Sequence, residues 1–134
     1  MEEKEKPARP YVVIIEDDNF LRSLILQKFD LEGFEIIGAP NGREGIERIT
    51  ERKPDILLLD LLLPDINGFE VLEYIKENDS MRGIPILIVS NLGSAEDMGK
   101  AQKLGAEHFL IKANTSTMEI VEKVREILSE GKKA

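Results

Sequence analysis

Five short aliphatic runs, each followed by a longer segment of helical period, constrain this chain more than any other feature of its sequence. The runs are Val12-Val13-Ile14-Ile15, Glu35 to Ala39, Asp55 to Asp60, Pro85 to Ser90 and Glu107 to Ile111. A short apolar run bounded by turn residues reads as a strand covered on both faces, and strands that alternate with helices build a parallel sheet with helices on either side. The third run is the most apolar and is expected at the centre of that sheet. The intervening segments predict five helices. Asn19 to Glu32 carries Leu21, Leu24, Ile25 and Phe29 on one stripe and ends at Gly33; Arg43 to Arg52 buries Ile46 and Ile49; Asn67 to Glu77 turns Phe69, Leu72 and Ile75 inward. Ala95 to Leu104 offers only a thin stripe of Ala95, Met98, Ala101 and Leu104, whereas Ser116 to Glu130 carries Ile120, Val121, Val124, Ile127 and Leu128 at convincing spacing.

With 134 residues there is room for one domain. Residues 1–10 are charged and hold two prolines, so they are expected as a flexible leader, with the domain over 11–130 and a short tail over 131–134. Eighteen basic against 26 acidic residues leave a net charge of -8, a sign that opposes direct binding to nucleic acid. No run of apolar residues approaches the roughly 20 needed to span a bilayer, and the charged start offers nothing to a secretion apparatus, so a cytoplasmic location is expected. The absence of cysteine excludes disulfides, thiolate metal sites and thiol nucleophiles.

In an open parallel sheet the functional residues lie beyond the carboxyl ends of the strands. The first run exits into Glu16-Asp17-Asp18, the third into Asp60, the fourth into Ser90 and the fifth into Lys112. Singly these have ordinary explanations: Asp18 suits a helix cap, Glu16 and Asp17 could do the same, and Ser90 or Lys112 could be loop residues. Asp60 is different, because a charge set between Leu57-Leu58-Leu59 and Leu61-Leu62-Leu63 is costly to desolvate unless paired. Together, three mutually repelling carboxylates favour a hard divalent cation, and magnesium suits a site of few carboxylates that also accepts phosphoryl oxygens. An Asp60 oxygen could then attack a phosphoryl group while the metal and the Lys112 ammonium neutralise its charge, and Ser90 could donate to a phosphoryl oxygen.

On these residues the sequence resembles the receiver domains of two-component response regulators over about residues 11–130. The resemblance rests on the acidic pair Glu16-Asp17, on Asp60 within Asp60-Leu61-Leu62-Leu63-Pro64-Asp65-Ile66-Asn67-Gly68, on Ser90, and on Gly105-Ala106 leading to Lys112. It implies a flavodoxin-like, doubly wound sheet of order 2-1-3-4-5. It further implies Asp60 as phosphoacceptor, Ser90 as switch hydroxyl, Lys112 as the charge on the phosphoryl, and magnesium held by Glu16 indirectly and by Asp17, Asp60 and the Leu62 backbone carbonyl directly. A histidine kinase or histidine phosphotransfer protein would be the donor. Such a domain is a signalling module rather than an enzyme, catalysing only its own phosphorylation and slow dephosphorylation. Because the chain closes shortly after its last helix, output is expected through a protein target on the fourth helix, fifth strand and fifth helix, without nucleic acid or membrane.

The chain also departs from that pattern. Asn91, followed by Leu92, stands after the switch hydroxyl where the family usually has a small residue; Leu62 and Leu92 occupy the two positions that tune how water reaches Asp60, both are apolar, and slow self-dephosphorylation is expected. Lys112 is followed by Ala113 rather than by a proline, so the peptide is expected trans, with a rearranged loop and Lys112 somewhat displaced. Phe109 occupies the aromatic switch position without a hydroxyl, and His108 beside it is expected at a surface or edge. These departures keep an alternative open, a pseudo-receiver that binds partners without phosphate. A phosphatase with an aspartate nucleophile is disfavoured because Leu62 stands where its acid would be, and a flavin module because Glu16-Asp17-Asp18 replaces a phosphate loop.

Overall fold

The computed structural model describes residues 9–132. The expected leader over 1–8 and the last two residues of the expected tail lie outside the described residues. Ten main elements follow in order: β1 (Tyr11–Ile15), α1 (Asn19–Leu31), β2 (Glu35–Ala39), α2 (Gly42–Glu51), β3 (Ile56–Leu59), α3 (Gly68–Glu77), β4 (Ile86–Ser90), α4 (Ala95–Lys103), β5 (His108–Ile111) and α5 (Thr117–Lys132). Single turns of 3-10 helix cover Asp79–Met81 and Lys112–Asn114. The five strands pair in parallel in the order β2-β1-β3-β4-β5, the order the resemblance implies, with β3 at the centre.

Successive side chains of a strand point to opposite faces, so each central strand feeds two cores. Val13, Ile15, Leu57 and Leu59 join Ile49 of α2, Val71, Leu72 and Ile75 of α3 and Ala101 of α4. Val12, Ile14, Leu58 and Leu87 join Ile25 and Phe29 of α1 and Ile120, Val121, Val124 and Ile127 of α5. Strands buried on both faces need no polar alternation, which is why β1, β3 and β4 read as unbroken apolar runs. The edge strands differ: β2 alternates in exposure and β5 is half-buried throughout.

Four local expectations need correction. Leu24 does not join the buried stripe of α1; it is 39% exposed, because Ile25 and Phe29, one turn apart, already fill the contact with the sheet. Ala95 is exposed, so the stripe of α4 is thinner still, with Ala101 buried and Met98 and Leu104 half-buried. Arg9 and Pro10, counted with the leader, make contacts of the fold: Arg9 Nη2 donates to Asp30 Oδ1 (3.1 Å) and to the Phe34 carbonyl, and the Pro10 carbonyl accepts from Glu35 N (2.9 Å). At the other end α5 continues to Lys132, into the expected tail. Among the described residues no helix is long and apolar enough to cross a membrane.

Candidate functional site

Register alone brings the acidic rim together. Ile15 pairs with Leu59, and beyond that pair Asp60 N donates to the Ile15 carbonyl (3.2 Å) while Glu16 N donates to the Ala39 carbonyl (3.0 Å). Glu16 and Asp60 therefore leave the sheet as neighbours, still held by its ladder. Ser90 is the last residue of β4 and Lys112 the first beyond β5. Glu16, Asp60 and Ser90 are buried, whereas Asp17 faces solvent.

The carboxylate of Asp60, only 3% exposed, is engaged on both oxygens. Ser90 Oγ donates to Oδ1 at 2.7 Å and the Leu62 backbone N–H donates to the same oxygen at 3.1 Å. Lys112 Nζ lies 2.6 Å from Oδ2 and 3.0 Å from Glu16 Oε1. The Asp18 N–H donates to Glu16 Oε2 (3.0 Å). Burial holds the Glu16 carboxyl above its usual pKa, against the opposing pull of the Asp18 N–H and the Lys112 ammonium. Burial alone would lower the Lys112 pKa, but its hydrogen bonds to Asp60 and Glu16 outweigh that and raise it. The ammonium stays charged.

Glu16, Asp17 and Asp60 each offer a carboxylate oxygen, all within 4.8 Å of one another. One ammonium cannot neutralise three carboxylates, and the surplus negative charge on hard oxygen donors fits a divalent cation such as magnesium. Asp18, as expected, caps α1 by accepting from Leu21 N (3.0 Å).

The segment after Asp60 is shaped by Gly68 and Asp65. Gly68 N donates to the Leu61 carbonyl (3.0 Å), and a Cβ at Gly68 would lie 2.6 Å from Leu61 Cα and 2.7 Å from the Asp60 carbonyl oxygen. Asn67 starts α3 with a reciprocal pair of bonds to Glu70. Asp65 reaches across to the start of α2, accepting from Gly42 N and Arg43 N at 2.9 Å each.

One expectation about the site is overturned. The Lys112–Ala113 peptide is trans, as is every peptide among the described residues, yet Lys112 is not displaced from Asp60. The turn over Lys112–Asn114 holds it: Thr115 Oγ1 donates to the Ile111 carbonyl (2.7 Å), Thr115 N to the Lys112 carbonyl (3.3 Å), and Ala113 N to Asn91 Oδ1 (2.8 Å). Phe109 is half-buried and packs into the core shared with α3 and α4; His108 is half-buried on the edge strand. Leu62 is 55% exposed, and Leu92 is half-buried with its N–H directed at Ser90 Oγ (3.3 Å).

Two residues beside the rim escaped the sequence reading. Arg22 donates to the Glu16 carbonyl (2.7 Å), and Phe20, 73% exposed on the first turn of α1, leaves a large ring in water shortly after Glu16-Asp17-Asp18 in the chain. An exposed aromatic immediately after an acidic strand exit was the available signal for Phe20; that for Arg22 is tertiary.

A family model described as the response regulator receiver domain matches residues 12–125. The chain is 29% identical over 120 residues to the polar-differentiation response regulator DivK of Brucella anthropi, covering 90% of this chain and 97% of that protein. It is 28% identical over 123 residues to the phosphate regulon transcriptional regulatory protein PhoB of Rhizobium meliloti, covering 92% of this chain and 54% of PhoB. Among solved structures, a CheY-like response regulator receiver domain protein from Methanospirillum hungatei JF-1 superposes with a TM-score of 0.85 at 26% identity, over 94% of this chain and 98% of that one. A LuxR-family DNA-binding response regulator from Staphylococcus aureus does so with a TM-score of 0.80 at 29% identity, over 89% and 98%.

Proposed function

The chain belongs to the response regulator receiver domain family of two-component systems, and from that premise we propose that Asp60 accepts a phosphoryl group from a histidine kinase or histidine phosphotransfer protein and thereby switches a protein-interaction face. The observation that carries this reading is the Asp60 carboxylate itself, buried yet gripped by Ser90 on one oxygen and by Lys112 on the other. A buried carboxylate held by two groups that can both transfer to a phosphoryl is poised to exchange partners, not merely to be neutralised.

In the step proposed, an Asp60 oxygen attacks the phosphorus of a phosphohistidine, the phosphorus–nitrogen bond breaks, and the imidazole leaves with a proton from solvent. Lys112 moves its charge from the carboxylate to the phosphoryl oxygens, and Ser90 turns its hydroxyl from Oδ1 to one of them. Asp17 and Asp60 would hold magnesium, with Glu16 acting through the ion's water and the Leu62 carbonyl completing the protein ligands. When bound, the ion would supply positive charge to the phosphoryl oxygens. Ser90 leads directly into the segment before α4, and α4 is anchored by a single buried residue, Ala101, so pulling on Ser90 moves α4 at low cost. Output through α4, β5 and α5 follows. A phosphodonor must reach the rim itself, where exposed Phe20, Leu24 one turn further and Leu62 offer it an apolar footing. A cytoplasmic location fits a partner of this kind.

Incubation with acetyl phosphate and magnesium, followed by intact mass, tests the reading. The expected result is a mass gain of one phosphoryl that Asp60→Asn abolishes. A wild-type chain that gains nothing while binding its partners would instead be a pseudo-receiver. The same samples report lifetime: with apolar Leu62 and Leu92 beside the acyl phosphate, decay is slow, and Leu62→Asn with Leu92→Glu accelerates it about tenfold by placing polar groups that can orient water. Fast wild-type decay unaltered by the two changes would contradict this.

A further inference from the structure

Two of the positions at which this chain departs from the receiver pattern touch each other. The Ala113 N–H donates to Asn91 Oδ1 at 2.8 Å across 22 residues of sequence. Ser90 and Ile111 are register partners at the ends of β4 and β5, so the segments that carry Asn91 and Ala113 leave the sheet side by side. The contact needs both departures at once. A proline at 113 would have no N–H to donate, and an alanine or glycine at 91 would have no side-chain acceptor.

Both residues are exposed, so water could satisfy either group and the bond adds little to overall stability. What it controls is placement. Ala113 follows Lys112, whose ammonium must span from this turn to Asp60 and Glu16. Asn91 follows Ser90, and its loop lies tight against the end of β5: a Cβ on Gly93 would be 2.5 Å from Ile111 Cδ1.

We propose that Asn91 is a positioning residue: its side chain clamps the Ala113 backbone, sets the Lys112 ammonium on Asp60, and joins the loop that bears Ser90 to the loop that bears Lys112. The consequence for phosphoryl uptake rests on the reading of Asp60 as phosphoacceptor; the clamp itself is measurable without phosphate.

The test compares wild type, Asn91→Ala, Ala113→Pro and the double variant. Amide hydrogen exchange and the Lys112 side-chain resonances are recorded on the unphosphorylated chain, and uptake from acetyl phosphate with magnesium is timed separately. In Asn91→Ala the Ala113 amide should exchange about tenfold faster, with the central amides of Leu58 and Val89 unchanged and the Lys112 signals moving toward those of a free lysine. Uptake should fall about tenfold, as small misplacements of a catalytic charge do. In the Ala113→Pro background, where no donor remains, Asn91→Ala should add almost nothing, whereas independent roles would give additive effects. Unchanged Ala113 exchange in Asn91→Ala, or additivity in the double variant, overturns the clamp. Wild type that takes up no phosphoryl but shows the exchange contrast and the lysine shift supports the clamp and overturns only the phosphoacceptor reading.

Discussion

Asp65 shows how much a single carboxylate outside the reacting set can hold. Its two oxygens accept the first backbone N–H groups of α2, so one side chain on the segment after Asp60 caps a helix far away in sequence. Burial would raise its pKa, but the N–H groups of Arg43, Gly42 and Ile66 outweigh burial and hold the carboxyl below its usual range. A carboxyl lowered in this way stabilises the fold above its unfolded pKa of about 3.9, and that stabilisation disappears as pH falls through the lower folded value. Asp65→Ala should cost about 1 kcal/mol at pH 7 by urea denaturation, and the gap to wild type should close in acid. The sequence placed Asp65 in the motif that begins at Asp60 but could not name its partners, because Gly42 and Arg43 are brought to it only by the packing of α2 beside α3. At the same scale, the position of Asp60 and Ser90 at strand ends was legible because the end of an apolar strand is a local property.

Glycine at the element scale acts with opposite signs in two helices. Gly68 opens α3 against backbone atoms of Asp60 and Leu61 that cannot retreat, since they leave the central strand β3 directly and Asp60 N is still bonded to the Ile15 carbonyl. Gly68→Ala should therefore destabilise by about 2 kcal/mol or more, as overpacking against a fixed neighbour does, and should also slow phosphoryl uptake. Gly99 lies in the middle of α4 with nothing within 4 Å of where a Cβ would sit. There alanine should stabilise by about 0.5–1 kcal/mol through helix propensity. A lower urea midpoint for Gly68→Ala and a higher one for Gly99→Ala check the pair. Hydrophobic period found all five helices and the thinness of α4, but overestimated the buried stripes at Leu24 and Ala95, because period sets direction around a helix axis and not how far the neighbouring sheet extends.

For the whole molecule, the rim is a concentration of like charge that the fold tolerates by setting the half-buried Lys112 ammonium between Glu16 and Asp60. A cation bound there stabilises the folded chain by mass action, about 2.7 kcal/mol at a hundred times its dissociation constant. Magnesium should then raise the melting temperature by several degrees, measured by calorimetry. Asp17→Asn should remove most of that rise while leaving the metal-free protein as stable or more so, since it deletes one of three repelling charges without touching the core. An equal rise in both proteins would place the ion elsewhere.

The order of elements, the apolar central strands and the chemical types at their carboxyl ends were determined by the sequence alone, because each depends on residues adjacent in the chain. Tertiary structure decided which of those groups bond to one another. The parallel register of β4 and β5 sets Asn91 against Ala113, and Lys112 stays on Asp60 through a trans peptide, where the departure from the family pattern at Ala113 had suggested displacement. A bond between residues that distant exists only after the sheet has aligned two strand ends, so no local pattern encodes it.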